Sequence, residues 1–192
     1  MVKTENFIQI EITSSLQLRE WLQNNHMQKE SVWLVTYKKE VKEKYVSVEE
    51  VLDQLLCFGW IDGIRRKLDE QRTMQLISPR QVQHWTKTYK DRYAKLEKQG
   101  LVAEAGKQSV IVSKQKGLWN YMDDVDALIK PKDFIECLEK HPPAINNFDA
   151  IGPASKRFML RHIKIAKTPE TRSKRILEIT LLAKEGKKLK GS

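Results

Sequence analysis

Cysteines are few in this sequence, and long hydrophobic runs are absent. Only Cys57 and Cys137 occur among the 192 residues, and their separation fits neither a CxxC motif nor a metal site. We therefore expect free thiols in a reducing compartment rather than a disulfide framework. The longest nearly apolar stretch, residues 55–61, is far shorter than the ~20 residues of a membrane helix, and residues 1–6 lack the apolar core of a signal peptide. The sequence predicts a soluble cytosolic protein without membrane insertion.

The motifs of common nucleotide-binding, hydrolase and zinc-protease sites are missing too. No GxGxxG, GxSxG or HExxH pattern occurs, and the four histidines are scattered along the chain. Gly100 and Gly106 enclose five residues instead of the four in a phosphate loop, and Gln108 replaces the hydroxyl residue that would bind metal. We expect neither a cofactor nor a metal ion.

Enough apolar residues are present for a folded core, because 40% of the sequence is hydrophobic and it contains 5 Trp, 5 Tyr and 5 Phe. Alternating isoleucines predict a strand over residues 7–12. Residues 32–37 are mostly β-branched or aromatic, which is typical of a central strand covered on both faces. Residues 60–68 and 72–77 are extended segments close enough in the chain to predict a hairpin.

Helices are predicted from capping signals and apolar periodicity. Ser14 with Gln17, and Ser47 with Glu50, form capping boxes that predict two helix starts in the N-terminal half. Ser78 and Pro79 have the form of an N-cap followed by a first-turn proline, so the pattern is predicted to be helical from there onward. The helices predicted in this part cover residues 79–85, 87–99, 102–116, 131–140, 142–149, 154–166 and 169–185. Two rows have the spacing of core-facing positions: Phe158, His162 and Ile165, and Ile176, Ile179 and Ala183.

The predicted fold class is α+β, with a small N-terminal sheet and its helices followed by an all-α C-terminal bundle. The expected boundaries are an α+β module over residues 1–117, a linker over 118–130, a helical bundle over 131–186 and a disordered tail over 187–192. We find no internal repeat and no low-complexity tract.

Positive charge is concentrated at the C-terminal end. Residues 156–192 contain 12 Lys or Arg and three acids, a net charge of +9, whereas the preceding 155 residues carry a net charge of only +1. Such a field favours weak, non-specific binding of nucleic acid, or an acidic protein partner. The candidate polyanion-binding residues are Arg172, Lys174, Arg175, Lys187 and Lys188.

One stretch stands out as a candidate site. In residues 57–63, Cys-Phe-Gly-Trp-Ile-Asp-Gly, Asp62 is placed among apolar residues, where a carboxylate is costly unless it is paired or hydrogen-bonded. Strand alternation places Asp62 and Arg66 on the same face, so a pair between them is geometrically reasonable. Gly63 would allow a ligand or another backbone to come close.

Together with motifs elsewhere in the chain, this stretch resembles the bacterial YdeI/OmpD-associated family, also described as bacteriocin-protection proteins. The motifs that carry the resemblance are Val32-Trp33-Leu34, residues 57–63 with Arg65, Ser78-Pro79-Arg80 with Trp85, Gly100, and Pro169-Glu170-Thr171-Arg172 with Arg175. The resemblance covers almost the full length and implies no established reaction, cofactor or catalytic residue. The chain departs from the pattern at residues 81–83, where basic residues are more usual, and at Tyr89, where Asn is frequent.

Three interpretations of this stretch remain open. The first is a pocket with tryptophan walls and arginine donors for a carboxylate or phosphate. The second is a structural junction in which Asp62 and an arginine satisfy each other without any ligand. The third is catalysis with Asp62 as a general base. The candidate ligand-binding residues are Trp60, Asp62, Arg65, Arg66, Arg80 and Trp85.

The leading functional hypothesis is a non-enzymatic stress- or bacteriocin-protection protein that binds a small anion or a macromolecular partner. One alternative is an enzyme of unknown reaction that uses the Asp62 region. Another is a basic protein that binds nucleic acid with little sequence preference.

Overall fold

The computed structural model describes residues 7–191 and contains more helix than strand, which confirms the α+β class. The chain divides into two compact units, the first ending at Asn120 and the second beginning at Tyr121. No helix within residues 7–191 is long and apolar enough to cross a membrane.

The first unit contains a four-stranded sheet and four helices. Its elements are β1 (Gln9–Glu11), α1 (Ser15–Asn25), β2 (Val32–Tyr37), α2 (Val48–Cys57), β3 (Trp60–Lys67), β4 (Arg72–Pro79), α3 (Lys87–Lys98) and α4 (Glu104–Gln115), with a 3₁₀ turn at Lys42–Lys44. The strand order is β1-β2-β4-β3, in which β1 is parallel to β2 and the other pairs are antiparallel. The predicted internal position of β2 and the predicted β3–β4 hairpin are both confirmed.

Both predicted helix starts in this unit are confirmed. Ser47 and Glu50 form the complete capping box of α2, with each side chain bonded to the backbone amide of the other residue. The Ser14 hydroxyl accepts the Gln17 amide at the start of α1, although the Gln17 side chain accepts from the amide of Thr13 instead of Ser14. The helices bury their apolar stripes against one face of the sheet. The core includes Leu18, Leu22, Leu34, Val51, Leu55, Leu56, Trp60, Ile77 and Trp85.

The predicted helix over residues 79–85 is wrong, because β4 continues to Pro79 and residues 80–86 are irregular. Pro79 lies opposite Trp60 beyond the last β2–β4 pair, so its missing amide removes no ladder bond to β2. In the next residues, the Gln83 side-chain oxygen accepts the amides of Gln81 and Val82 at 2.7 and 3.2 Å. These local bonds satisfy the backbone without a helical turn.

The second unit is entirely helical in the residues that are described. Its elements are α5 (Asp123–Asp126), α6 (Lys132–Glu139), α7 (Ala144–Ala150), α8 (Pro153–Lys164) and α9 (Pro169–Lys184). The four predicted bundle helices are therefore confirmed, and α5 is an additional turn. Their core includes Met122, Val125, Phe134, Leu138, Phe148, Met159, Leu160, Ile163, Ile176, Ile179 and Ala183.

One of the two predicted core rows is wrong. Phe158 and Ile165 are 42% and 40% exposed, and the buried face of α8 instead contains Met159, Leu160 and Ile163. The helix has apolar residues on two neighbouring stripes, and packing buries the stripe that is richer in aliphatic side chains. The row on α9, formed by Ile176, Ile179 and Ala183, is buried as predicted.

The segment predicted as a linker is divided between the two units. Residues 118–120 belong to the first unit, whereas Met122 and Val125 are buried in the core of the second. Leu189 also packs against that core, although the tail was predicted to be disordered from residue 187. Met1 to Asn6 and Ser192 lie outside the described residues.

Candidate functional site

A register irregularity in the hairpin separates Asp62 from Arg66. Asp62 lies opposite Ile77 and Arg65 lies opposite Gln75, so three steps along β3 match two steps along β4. Residues opposite each other in a ladder share a face of the sheet, and Arg65 is therefore on the same face as Asp62. Arg66 is moved to the other face, so the predicted Asp62–Arg66 pair is wrong.

Asp62 is held by two neutral donors. The Tyr89 hydroxyl donates a short hydrogen bond to Oδ1 of Asp62, and Nε2 of Gln75 donates to Oδ2 at 3.5 Å. The side-chain oxygen of Gln75 in turn accepts a bond from Nη2 of Arg65 at 3.2 Å. Burial, followed by the bond to Asp62, raises the pKa of Tyr89, so this residue acts as a hydroxyl donor.

Arg80 lies beside this network but is not bonded to it. Its guanidinium carbon is 4.1 Å from the centre of the Trp85 ring and 5.3 Å from that of Tyr89. Nη1 donates a long bond of 3.4 Å to the carbonyl of Gln83, whereas Nε and Nη2 are buried and have no acceptor in residues 7–191. Burial lowers the pKa of Arg80 to about 10, and the nearby Tyr89 and Asp62 partly oppose that effect.

The Trp85 ring packs against the guanidinium of Arg80. It is fully buried, meets Tyr93 edge to face at 5.9 Å and lies 4.8 Å from Trp119 in a tilted arrangement. The indole Nε1 of Trp85 is also a buried donor for which the described part of the chain offers no acceptor. Three unpaired donor nitrogens thus belong to two side chains in direct contact. Buried polar groups are rarely left in this state, which makes the cluster a candidate site for a hydrogen-bond acceptor.

Arg80 also lines an open pocket of about 220 Å³. The pocket adjoins the end of α2, the end of β4 and one face of α4, where the backbone of Gly59 approaches Ser109 closely. A Cβ at Gly59 would lie 2.8 Å from the Cβ of Ser109, and the residue has a φ of +71°, so glycine is required there. The other pocket residues are His26, Phe58, Pro79, Gln81, Ala105, Gln108, Val112 and Ser113.

Two of the six predicted ligand-binding residues lie away from this cluster. Trp60 is buried in the core, where it meets Trp21 edge to face at 5.4 Å and donates from Nε1 to the carbonyl of His26 at 3.3 Å. The guanidinium of Arg66 lies 5.3 Å from the Trp33 ring centre, on the opposite face of the sheet. The structure brings together Asp62, Arg65, Arg80 and Trp85.

Tyr89, Gln75 and Trp119 also belong to the cluster and were missed by the sequence analysis. Tyr89 appeared there only as a departure from a family pattern, although Tyr89 and Tyr93 are four residues apart and share one face of α3. That spacing was the available signal. Gln75 had no comparable signal, because a polar residue in an alternating strand is normally solvent-facing, yet here it is 6% exposed.

The predicted polyanion-binding residues differ in the hydrogen bonds and ion pairs that their side chains make within the second unit. Arg172 makes two bonds to the carboxylate of Asp133, at 2.7 and 2.8 Å, and Arg175 donates to the carbonyl of His162 at 2.6 Å. Lys187 lies 2.8 Å from Glu185. The remaining two, Lys174 and Lys188, are exposed. No group of three His, Cys, Asp or Glu side chains in residues 7–191 is placed to hold a metal ion.

Two family models match the chain, and each covers a different part of it. Residues 10–109 match a domain of unknown function (DUF8412), and residues 127–186 match the model described as bacteriocin-protection, YdeI or OmpD-associated. Neither the curated proteins nor the solved structures contain a significant match. The cluster around Arg80 lies within the first match except for Trp119. Because that match spans more than half of the 192 residues, the protein belongs to the family of this domain of unknown function, and residues 127–186 add a bacteriocin-protection, YdeI/OmpD-associated region.

Proposed function

We propose that this protein is a non-enzymatic binding protein of the bacteriocin-protection type, and that it binds a small anion at Arg80. The match of residues 127–186 supports the general type. The observation that carries the anion site is the buried edge of Arg80, where Nε and Nη2 have no acceptor within residues 7–191.

The chemistry of the unpaired groups defines what they would bind. Arg80 Nε, Arg80 Nη2 and Trp85 Nε1 are all donors, so the complementary group must be an acceptor. The Nε and Nη2 atoms form one edge of the planar guanidinium, and this edge matches the two oxygens of a carboxylate or phosphate. The guanidinium carbon lies over the Trp85 ring, 4.1 Å from its centre, and this contact restrains the position of that edge.

Electrostatics favour an anion over a neutral acceptor. A guanidinium removed from water loses hydration, and the lowered pKa of Arg80 reflects that loss. Asp62 offsets it only at a distance, because its oxygens are bonded to Tyr89 and Gln75. An anion bonded directly to Arg80 would restore the missing interaction. The same two bonds place Asp62 in the scaffold of the site, so we do not assign it the role of a general base.

A thermal-shift experiment tests the proposal. The wild type is melted with sodium acetate, sodium phosphate or sodium chloride at equal ionic strength, because a ligand of the native state raises stability by RT ln(1 + [L]/Kd). We expect acetate or phosphate to raise the midpoint by several degrees above chloride.

Two variants make the experiment specific to Arg80. Arg80→Met should abolish the shift while keeping an unbranched side chain at this position. Arg66→Met is the matched control, because Arg66 also lies over a tryptophan ring, at 5.3 Å from Trp33, but on the other face of the sheet. An equal anion-dependent shift in Arg80→Met and wild type would contradict the proposal, as would no shift in the wild type at any anion concentration.

A further inference from the structure

Arg80 has a carboxylate nearby and is nevertheless not paired with it. Asp62 is close enough to oppose the lowering of the Arg80 pKa, yet two guanidinium donors remain without an acceptor in the described chain, from residue 7 to 191. Such an arrangement is unexpected, because a buried guanidinium and a carboxylate normally form a direct charge-assisted bond.

Tyr89 accounts for the separation. Its hydroxyl donates to Oδ1 of Asp62, while Gln75 donates to Oδ2. The Tyr89 ring also lies 5.3 Å from the Arg80 guanidinium, so one side chain contacts both charged groups. Tyr89 is placed by α3, a helix of 12 residues whose Tyr93 and Leu96 are buried in the core, and its position is therefore set by the fold and not by Asp62.

We propose that Tyr89 is a positioning residue that holds Asp62 away from Arg80, and that the guanidinium edge is thereby left without an internal acceptor, so that it can bind the carboxylate of a singly charged ligand. This inference rests on the proposed function, because it specifies the ligand class and the control of the same site.

The charges around the site select a singly charged ligand. Arg80 supplies one positive charge at the cluster, and the negative charge of Asp62 stays close to it. One carboxylate balances Arg80, whereas the second charge of a phosphate dianion would face Asp62 without a further direct partner. Arg92 also acts on Tyr89, and Arg65 is bonded into the network, but Nη1 of Arg92 is paired with Asp53 and Nη2 of Arg65 is bonded to Gln75.

Removing the Tyr89 hydroxyl should let Asp62 pair with Arg80 and thereby block the site. In Tyr89→Phe, Oδ1 of Asp62 loses its donor, while Arg80, whose guanidinium lies 5.3 Å from the ring centre at position 89, has two donor nitrogens that lack an acceptor. A charge-assisted bond between the two would then satisfy both side chains and compete with any external carboxylate. Tyr89→Phe should therefore lose ligand affinity without losing the fold.

The double variant Tyr89→Phe with Asp62→Asn separates positioning from general damage. The amide that replaces the carboxylate in Asp62→Asn carries no charge to neutralise Arg80, so acetate binding should return toward the wild-type level. Tyr37→Phe is the matched control, because its hydroxyl likewise donates to a carboxylate of the first unit, Glu11, at 2.7 Å. Affinities for acetate and inorganic phosphate are measured by isothermal titration calorimetry at pH 8, and folding is checked by circular dichroism.

We expect acetate to bind the wild type more tightly than phosphate does. Tyr89→Phe should weaken acetate at least about tenfold, the double variant should recover most of that loss, and Tyr37→Phe should bind like the wild type. Unchanged acetate affinity in Tyr89→Phe, or a folded double variant that recovers nothing, would overturn the positioning role. Tighter binding of phosphate than of acetate would overturn the ligand class.

A second readout separates this inference from the proposed function. If the wild type bound neither anion, the proposed function would be wrong, and the Nε–Hε signal of Arg80 in NMR spectra would still decide the role of Tyr89. A new direct bond to Asp62 should shift this signal and slow its exchange with water in Tyr89→Phe, with no change in Tyr37→Phe. The same signal in all three proteins would overturn the positioning role.

Discussion

The guanidinium of Arg80 lies 4.1 Å from the centre of the Trp85 ring, and both side chains carry buried donors that residues 7–191 leave unpaired. Stacking on an aromatic face replaces part of the lost hydration of a cation, but it supplies no hydrogen-bond acceptor. The arrangement therefore costs stability, and under the proposed function the bound anion would offset that cost. Such a trade between stability and binding is common at functional sites.

Replacing Arg80 should stabilise the unliganded protein. Arg80→Met keeps an unbranched side chain and removes a desolvated charge with two unpaired donors, so the free energy of unfolding in anion-poor buffer should rise by about 1 kcal/mol. Urea denaturation at pH 7 measures the change. If the free energy of unfolding fell by about 1 kcal/mol or more, the contact of Arg80 with Trp85 would stabilise the protein more than the burial of its charge destabilises it.

The same variant should differ from the wild type in its alkaline pH dependence. The pKa of Arg80 in the folded state is lowered to about 10, below its value in the unfolded chain. The unfolded state therefore binds more protons above about pH 10, and wild-type stability gains a contribution there as pH rises. The advantage of Arg80→Met should be constant near neutral pH and shrink above about pH 10. An advantage that grew with pH would contradict the direction of the shift.

The packing between α4 and the end of α2 should be highly sensitive to size. A Cβ at Gly106 would lie 2.4 Å from the carbonyl oxygen of Cys57, a backbone atom that cannot rotate away. We expect Gly106→Ala to lower the free energy of unfolding by about 3 kcal/mol. Thermal or urea denaturation measures the loss.

Gly152→Ala provides the comparison for that substitution. No atom lies within 4 Å of a Cβ built at Gly152, and its φ is −63°, so the change should cost about 0.5 kcal/mol or less. Equal effects of the two substitutions would show that the close approach at Gly106 does not control stability.

Binding of polyanions should depend on the exposed lysines more than on the paired cations. Arg172 is bonded to Asp133 and Lys187 to Glu185, whereas Lys174 and Lys188 are exposed. We expect weak DNA binding that fades with added salt, and a logarithmic salt slope that falls by about 0.9 for each phosphate that the protein no longer neutralises. The double variant Lys174→Gln with Lys188→Gln should reduce the slope.

A second double variant that removes the same amount of charge tests whether particular lysines bind phosphate directly or whether only the net charge of the protein matters. Arg172→Gln with Lys187→Gln also removes two positive charges, but from side chains that already have carboxylate partners. It should leave the slope nearly unchanged. Equal slopes for the two double variants would indicate that only the total charge matters, and DNA retention that did not respond to salt would contradict the hypothesis.

The sequence by itself determined the elements whose signals are local. The capping box of Ser47 and Glu50, the apolar stripe of α2 and the hairpin of β3 and β4 were all predictable, because each depends on residues close together in the chain. The α+β class followed from the same signals. Asp62 and Arg80 could also be singled out, since a carboxylate and an arginine among tryptophans and other apolar residues need partners.

Only the tertiary structure decided which partners these residues have. One irregular register step between Asp62 and Arg65 moved Arg66 to the other face of the sheet, and strand alternation alone cannot predict such a step. Packing of α3 brought Tyr89 to Asp62 across 27 positions of the chain, and it left Arg80 stacked on Trp85 with two donors unpaired in the described residues. The physical reason is that burial and hydrogen-bond satisfaction depend on neighbours distant in sequence, whereas capping and periodicity depend on neighbours within a few residues.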